Sequence, residues 1–161
     1  MPKNWPLFFN EFWRDYLSTA ESQAAGVPAT ADVRLLIEQD RATPLRPYLI
    51  ISHERRPETL RNVYDAKMII TLHTLEDPTS GTTPEAAEDI LTAIRNRVSD
   101  IPAVQAYIAT LPRALATDAG RQWQPAVLHT IAQPWEAKLE EKEGHMARSF
   151  DFTFTCIVEE P

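Results

Sequence analysis

The amino-acid sequence predicts an α+β fold, in which helices pack on one face of a mostly antiparallel β-sheet. The last segment, Ser149–Glu160, reads S-F-D-F-T-F-T-C-I-V-E-E and alternates apolar with polar residues, as a strand with one buried face does. Two apolar runs, Arg46–Glu54 and Val63–Thr74, follow one another closely and predict an antiparallel pair of strands. Between them and the last strand, Glu85–Ser99 has the apolar spacing of a helix.

Length and charge restrict the classes of function. The 161 residues fit one domain, residues 1–161, with an aromatic helix in residues 1–25 and an α+β core in residues 45–161. The net charge of −7 argues against non-specific nucleic-acid binding and against anionic membrane surfaces. The sequence has no apolar run of the ~18 residues that a membrane span needs, and it does not begin like a signal peptide. We therefore expect synthesis in the cytoplasm.

The first predicted element is an amphipathic helix over residues 4–24, with Pro6 in its first turn. Its apolar stripe is strongly aromatic and contains Trp5, Phe8, Phe9, Phe12, Trp13, Tyr16 and Leu17. One interpretation is that this face packs into the core. The other is that Phe8, Phe12 and Trp13 anchor a neighbouring subunit, because aromatic residues are enriched at interface hot spots.

The next segment predicts a short helix near Asp32–Gln39, with Val33, Leu36 and Ile37 as its apolar stripe. The strand Arg46–Glu54 follows, and its run Tyr48–Ile51 is apolar on both faces, as in a covered strand. Residues 55–62, which read R-R-P-E-T-L-R-N, are predicted to form a charged connection to the second strand.

Cap residues mark the start of two helices in the middle of the chain. Asp77–Pro84 is a polar loop in which Thr83 can cap the helix Glu85–Ser99 and Pro84 occupies its first position. Asp100 then caps a second helix that begins at Ile101.

The remaining segments are predicted from composition. Residues 112–126 form a loop, and Val127–Gln133 forms a third strand. The highly charged Trp135–Met146 is a protruding hairpin or an excursion between strands. Trp123 and Trp135 flank the third strand, where they either close the ends of the sheet or anchor an interface.

The sequence offers no positive sign of catalysis. It lacks the glycine-rich phosphate loops and the nucleophile elbow, and none of its four histidines has the spacing of a metal site. The lone Cys156 falls on a strand position and is predicted to be a buried small hydrophobe. We predict no catalytic, metal-binding or cofactor-binding residues. His53, His73 and Tyr48, on adjacent strands, are the weak candidates that an enzyme would have to use.

Charged residues supply a second set of interface candidates. Arg55 and Arg56 are predicted to pair with Glu140 or Glu141 across a subunit boundary. Exposed ion pairs contribute only about 0–1 kcal/mol, so these pairs would set the register of subunits more than their affinity.

The order of four segments carries a resemblance to a known family. These segments are R-P-Y-L-I-I-S-H-E, Y-D-A-K-M-I-I-T-L-H-T, S-D-I-P-A-V-Q-A-Y-I and R-S-F-D-F-T-F-T-C-I-V-E-E. Over residues 45–161 the chain resembles the tail-terminator (minor tail protein U-like, tail completion) family of long-tailed bacteriophages. The local match is strongest at Asp100–Val104 with the following Tyr107 and Ile108. The aromatic N-terminal helix and the large charged segment 135–146 depart from the family pattern.

The resemblance implies a structural virion protein of the tail or neck and no cofactor. Six copies would form a ring that caps the tail tube, stops its polymerisation and presents a docking face to the head connector. The implied partners are other copies of the chain, the tail tube protein, a neck stopper or connector protein and the sheath protein. DNA would only pass through the lumen, and negative charge there would repel it.

Two alternatives stay open. The chain can be another neck component, such as a connector or stopper, which would bind on the portal side. It can also be a small-molecule-binding or enzymatic α+β domain, which would need a concave pocket with converging polar groups. A flat sheet with exposed apolar edges favours assembly, whereas a closed polar pocket favours an enzyme.

Overall fold

The structure is a computed structural model. It describes the backbone of residues 5–30, 32–40, 47–60, 63–76, 82–111, 115–116, 122–125, 136–139 and 144–159, and the side chains of residues 10–30, 32–40, 47–54, 67–76, 82–111 and 144–153. Within these residues there are four helices, α1 (Trp5–Leu17), α2 (Ala20–Ala24), α3 (Pro84–Ser99) and α4 (Ile101–Thr110). The strands are β1 (Arg34–Ile37), β2 (Tyr48–Leu60), β3 (Val63–Leu75), β4 (Leu115–Ala116), β5 (Gln122–Pro125), β6 (Glu136–Leu139) and β7 (His145–Glu159).

All seven described strands belong to one sheet, which confirms the predicted α+β class. The order is β1-β2-β3-β7-β5-β4, and β6 pairs with β7 beside this path. The β1–β2 pair is parallel, and the other five pairs of described strands are antiparallel. β7 therefore lies inside the sheet, between β3 on one side and β5 and β6 on the other.

The predicted helix over residues 4–24 is two helices. α1 ends at Leu17, and α2 begins after Thr19, whose backbone is extended with ψ 155°. The Thr19 hydroxyl accepts a hydrogen bond from the Ser22 backbone N–H at 3.2 Å, so Thr19 is the N-cap of α2. The apolar spacing predicted one continuous helix. The Thr19 side chain instead takes a backbone N–H as its hydrogen-bond donor, which ends α1 and starts α2.

The predicted helix near Asp32–Gln39 is wrong, because Arg34–Ile37 is strand β1. It pairs in parallel with Tyr48–Ile51 of β2. Leu35 and Ile37, two residues apart, are buried on the same face, which is the periodicity of a strand. The Asp40 carboxylate accepts a hydrogen bond from the Ile37 N–H at 2.9 Å and closes the turn after β1.

The antiparallel pair of β2 and β3 is confirmed, but both strands are longer than predicted. The register runs from Tyr48 opposite His73 to Leu60 opposite Val63. The prediction of a charged connection over residues 55–62 is wrong at residues 55–60, which continue β2. The register shifts between Arg55 and Glu58, around Pro57, which has no N–H to donate.

The predicted starts of α3 and α4 are confirmed. The Thr83 hydroxyl accepts from the Ala86 N–H at 3.2 Å, and Pro84 is the first residue of α3. The Asp100 carboxylate accepts from the Ala103 N–H at 3.3 Å and caps α4.

The C-terminal part both confirms and corrects the predictions. β4 and β5 lie within residues 112–126, so the prediction of a loop there is wrong at those positions. The predicted strand Val127–Gln133 falls outside the described residues. β6 pairs with β7 from Glu136 opposite Ser149 to Leu139 opposite Met146, which confirms a hairpin in the charged segment.

The core lies between the helices and one face of the sheet. The Trp13 ring of α1 meets the Phe152 ring of β7 edge-on, with their centroids 4.8 Å apart. From the sheet the core receives Leu35, Leu49, Ile51, Met68, Ile70, Leu72, Phe150 and Phe152, and from the helices Phe12, Trp13, Tyr16, Leu17, Ala87, Leu91, Ile94, Val98 and Val104. Among the described residues no helix is both long and apolar enough to cross a membrane.

Candidate assembly surfaces

The first candidate surface is the edge of β2 beyond β1. β1 covers β2 only from Tyr48 to Ile51, and Glu38 adds one bond to the Ile51 carbonyl at 3.0 Å. From Ser52 to Leu60, no strand of the described residues pairs with that side of β2. An unpaired strand edge can accept a strand from another chain. Pro57 and the register shift lie within this edge, and both reduce the number of hydrogen bonds that an added strand could make.

Arg55 and Arg56 lie in this edge segment, which places two predicted interface residues on a surface suited to assembly. Their side chains are outside the described set. Trp135, Glu140 and Glu141 lie outside the described residues, and Phe8 is described only as part of the α1 backbone. The predicted pairing of arginines with glutamates across a boundary stays a prediction.

Phe12 and Trp13 belong to the core of their own chain. Their exposed fractions are 4% and 0%, and their rings contact each other edge-on at 5.1 Å. Burying two aromatic side chains against the sheet contributes several kcal/mol to folding, which would be lost if they turned outward. The core interpretation of the aromatic stripe therefore holds at these two positions, and they are not available to anchor a neighbour.

The second candidate surface is the face of the sheet that points away from the helices. Alternation places Ile50 and Ile69 on this face, since Leu49, Ile51, Met68 and Ile70 point into the core. Here the Tyr48 ring stacks on the His73 ring at 4.7 Å, and the residues along the strands are mostly half-buried.

A charged cluster crosses three strands of this outer face. Lys67 Nζ lies 3.0 Å from Asp151 Oδ2 and 3.6 Å from Glu54 Oε2. The hydrogen bond to Asp151, aided by the charge of both acids, raises the pKa of Lys67. Two acids and one base leave the cluster with an excess of one negative charge.

The residues proposed for an enzyme do not converge. Tyr48 and His73 lie on the outer face, whereas His53 Nδ1 lies 3.3 Å from the Asn10 amide oxygen of α1 on the helix side. Asn10 in turn donates to the Gln39 side chain at 2.9 Å. Within the described part of the chain, no group of three or more histidine, cysteine or acidic residues is placed to hold a metal ion.

The third candidate surface is a cleft between α2, α3 and α4, which the sequence analysis did not identify. It encloses about 400 Å³ and is lined by Thr19, Glu21, Arg97, Ala103, Ala106, Tyr107 and Thr110. None of these seven described residues is a histidine or a cysteine, and the titratable side chains among them are Glu21, Arg97 and Tyr107.

Arg97, at the end of α3, is held in place by Tyr16 and Ser22. Its Nε donates to Ser22 Oγ at 2.8 Å, and its Cζ lies 4.9 Å from the centre of the Tyr16 ring. The Tyr16 hydroxyl donates to the Arg97 carbonyl at 2.7 Å. Burial raises the pKa of Tyr16 to about 12, so this hydroxyl stays a donor. No spacing rule links residues that are 81 positions apart, so this site cannot be predicted from the sequence.

No family model matches the chain, and no curated protein matches it. Among solved structures, a chain in the virion of a native gene transfer agent particle is similar in overall shape, with 14% sequence identity and a TM-score of 0.49. The similarity covers 93% of this chain and 93% of that chain.

Proposed function

We propose that this chain is a structural virion protein, a tail terminator that forms a hexameric ring on the end of a phage-type tail tube. The observation that carries the proposal is the open edge of β2 over Ser52–Leu60. The resemblance of residues 45–161 to the tail-terminator family supplies the identity of the assembly.

The sheet has two different edges, which suits a ring. The β2 edge lies at one side of the sheet, and β4 and β6 lie toward the other. Pairing between unlike edges of successive copies is a heterologous contact, and such contacts generate a closed ring when the rotation between copies divides a full turn. A hexamer requires a rotation of about 60° per copy.

Charge is compatible with a channel through which DNA passes. The chain carries a net charge of −7, of which the cluster of Glu54, Lys67 and Asp151 places one negative charge in excess on the outer face. A lumen of negative sign repels the phosphate backbone and keeps DNA from adhering. The ring would cap the tube, stop its growth and offer its other face to a neck stopper or connector protein, with the sheath protein as a further neighbour in a contractile tail.

The arginines of the β2 edge have a place in this assembly. Arg55 and Arg56 would meet acidic side chains of the adjoining copy and set the register in which the strands pair. Their energetic contribution would be small, about 0–1 kcal/mol for each exposed pair.

The test is the mass of the full chain in solution, measured by light scattering over a concentration series with and without purified tail tubes. We expect a sixfold ring, either free or formed on the tubes. Hydrogen exchange should then show that amides in Ser52–Leu60 become protected when the ring forms. A strict monomer that ignores tubes contradicts the proposal, and binding to portal complexes in place of tubes would favour a neck stopper.

A further inference from the structure

The strand β1 presents a second backbone edge on the same side of the sheet as the open edge of β2. In a sheet, the backbone groups of successive residues point alternately to the strand on one side and to the strand on the other. The Glu38 N–H donates to the Ile51 carbonyl at 3.0 Å, so Glu38 faces β2. Leu35 and Ile37 therefore face away from β2, toward the place that an added strand would occupy.

Asp40 occupies both outward-facing backbone groups of Ile37. Its carboxylate accepts a hydrogen bond from the Ile37 N–H at 2.9 Å, and its own N–H donates to the Ile37 carbonyl at 2.9 Å. Just before the strand, the Val33 N–H donates to the Ala29 carbonyl at 3.0 Å. The outer edge of β1 is thus closed at both ends, and Leu35 between them offers at most one N–H and one carbonyl to another chain.

The turn that carries Asp40 is tied to α1. Asn10 of α1 is fully buried, and its amide group donates to the Gln39 side chain at 2.9 Å. The oxygen of the same amide lies 3.3 Å from His53 Nδ1, near the start of the open edge of β2. These contacts hold the turn against the helix, so that Asp40 stays at the end of β1.

We propose that Asp40 is a specificity-determining residue for assembly, which closes the outer edge of β1 and so directs strand addition by a second copy of the chain to Ser52–Leu60 of β2. Head-to-tail contacts close a ring only if every copy is joined with the same rotation. Two accepting edges on one side of the sheet would allow two different rotations, and mixed contacts would yield open polymers. This inference rests on the proposed ring, for which it names the residue that excludes a competing contact.

The neighbouring Glu38 allows charge and hydrogen bonding to be separated. Both side chains are exposed and acidic. Asp40 accepts from the Ile37 N–H, whereas no hydrogen bond is made by the Glu38 side chain within the described part of the chain. E38A therefore removes one negative charge and keeps the bond to Ile37. D40N also removes one charge but keeps an oxygen that can accept this bond, and D40A removes the charge and the bond together.

The first test is hydrogen exchange and light scattering of the full chain and of these three variants. We expect the Ile37 amide to exchange about tenfold faster in D40A than in the parent, and at nearly the parent rate in D40N and E38A. At the highest concentration we expect the weight-average mass of D40A to exceed that of the parent by about twofold or more, because β1 then accepts strands as well. D40N and E38A should match the parent in mass.

A second measurement leaves the protein unchanged. In the parent, ring formation should protect amides in Ser52–Leu60 and leave the exchange of the Leu35 amide as it is in the monomer. Protection of the Leu35 amide in the parent ring would overturn the proposal, because β1 would then be an accepting edge.

The outcomes separate this proposal from the proposed function. A ring in the parent, together with a heavier D40A, supports both. A parent that forms no ring, alone or on tail tubes, contradicts the proposed function, and a heavier D40A with a newly protected Leu35 amide would still support the role of Asp40. Equal masses of D40A and the parent overturn that role. An equal increase of mass in E38A also overturns it, since the loss of charge alone would then explain the association.

Discussion

Glu76 and Arg148 form a two-bond ion pair that joins the end of β3 to the start of β7. Nη2 lies 2.7 Å from Oε1 and Nη1 lies 2.5 Å from Oε2, and the two side chains are 8% and 6% exposed. The Thr74 hydroxyl donates to the same carboxylate at 2.8 Å. The pair therefore fixes the end of β3 against the start of β7.

Removing one partner of this pair should be far more costly than removing both. E76Q leaves a buried guanidinium without its counter-charge, and we expect the free energy of unfolding to fall by about 3–5 kcal/mol. The double variant E76Q/R148M should lose much less, because no charge is then left buried. Urea denaturation of parent, single and double variants measures this. If the single and the double variant lost the same free energy of unfolding, Glu76 and Arg148 would not act as a buried ion pair.

The same pair predicts a dependence of stability on acid. Hydrogen bonds from Arg148, with a smaller contribution from Thr74, lower the pKa of Glu76 in the folded chain. The stabilisation is complete above the pKa of an unfolded glutamate, about 4.3, and is lost as the pH falls through the lowered folded value. Urea midpoints between pH 6 and pH 2 should fall less steeply in E76Q than in the parent. If the urea midpoints of E76Q and the parent fell in parallel with pH, Glu76 would not contribute to the pH dependence of stability.

Two adjacent residues of β7 test which face of the sheet is buried. F152A removes a ring that is 1% exposed and contacts Trp13, and we expect it to cost about 3–5 kcal/mol. T153A, on the opposite face, should cost less than about 1 kcal/mol. Thermal and chemical denaturation of both variants measure these losses of stability. If F152A and T153A lost similar amounts, the buried and outer faces of β7 would be assigned wrongly.

Tyr16 predicts a loss of stability in alkali. Its folded pKa is about 12, raised chiefly by burial, whereas a tyrosine in the unfolded chain ionises near 10. Its contribution is complete below pH 10 and disappears as the pH rises through 12. The absorbance of phenolate should show that Tyr16 titrates late, beside Tyr107, whose pKa is also raised by burial, and Y16F should lack the Tyr16 part of that late titration. Stability curves of Y16F that fall as steeply as those of the parent above pH 10 would contradict this role.

The elements that the sequence predicted well have local causes. The caps Thr83 and Asp100 act within three residues, and the alternation in β7 records directly which side chains enter the core. β1 is predicted as a helix because Val33, Leu36 and Ile37 have helical spacing, whereas the buried residues Val33, Leu35 and Ile37 have the spacing of a strand. Its pairing with β2 decided the outcome, and that contact is not visible in the segment itself.

The candidate surfaces were harder to predict for the same reason. The open edge of β2 exists because a charged segment, R-R-P-E, continues a strand that its composition would end. The cleft depends on Tyr16 and Arg97, which meet only in the folded chain. The charge of the segment predicts the hairpin, but the place of Gly144 beside the end of β3 depends on one hydrogen bond, from the Glu76 N–H to the Gly144 carbonyl, that the segment itself does not reveal.

The contact between Trp13 and Phe152 has a consequence for synthesis on the ribosome. The two residues are 139 positions apart, so the aromatic helix emerges long before the strand that covers it. At translation rates of about 5–20 residues per second, its apolar face waits for at least several seconds without its partner. Until β7 has been synthesised, Trp13 has no Phe152 ring to pack against, so aromatic surface of α1 is exposed on the nascent chain.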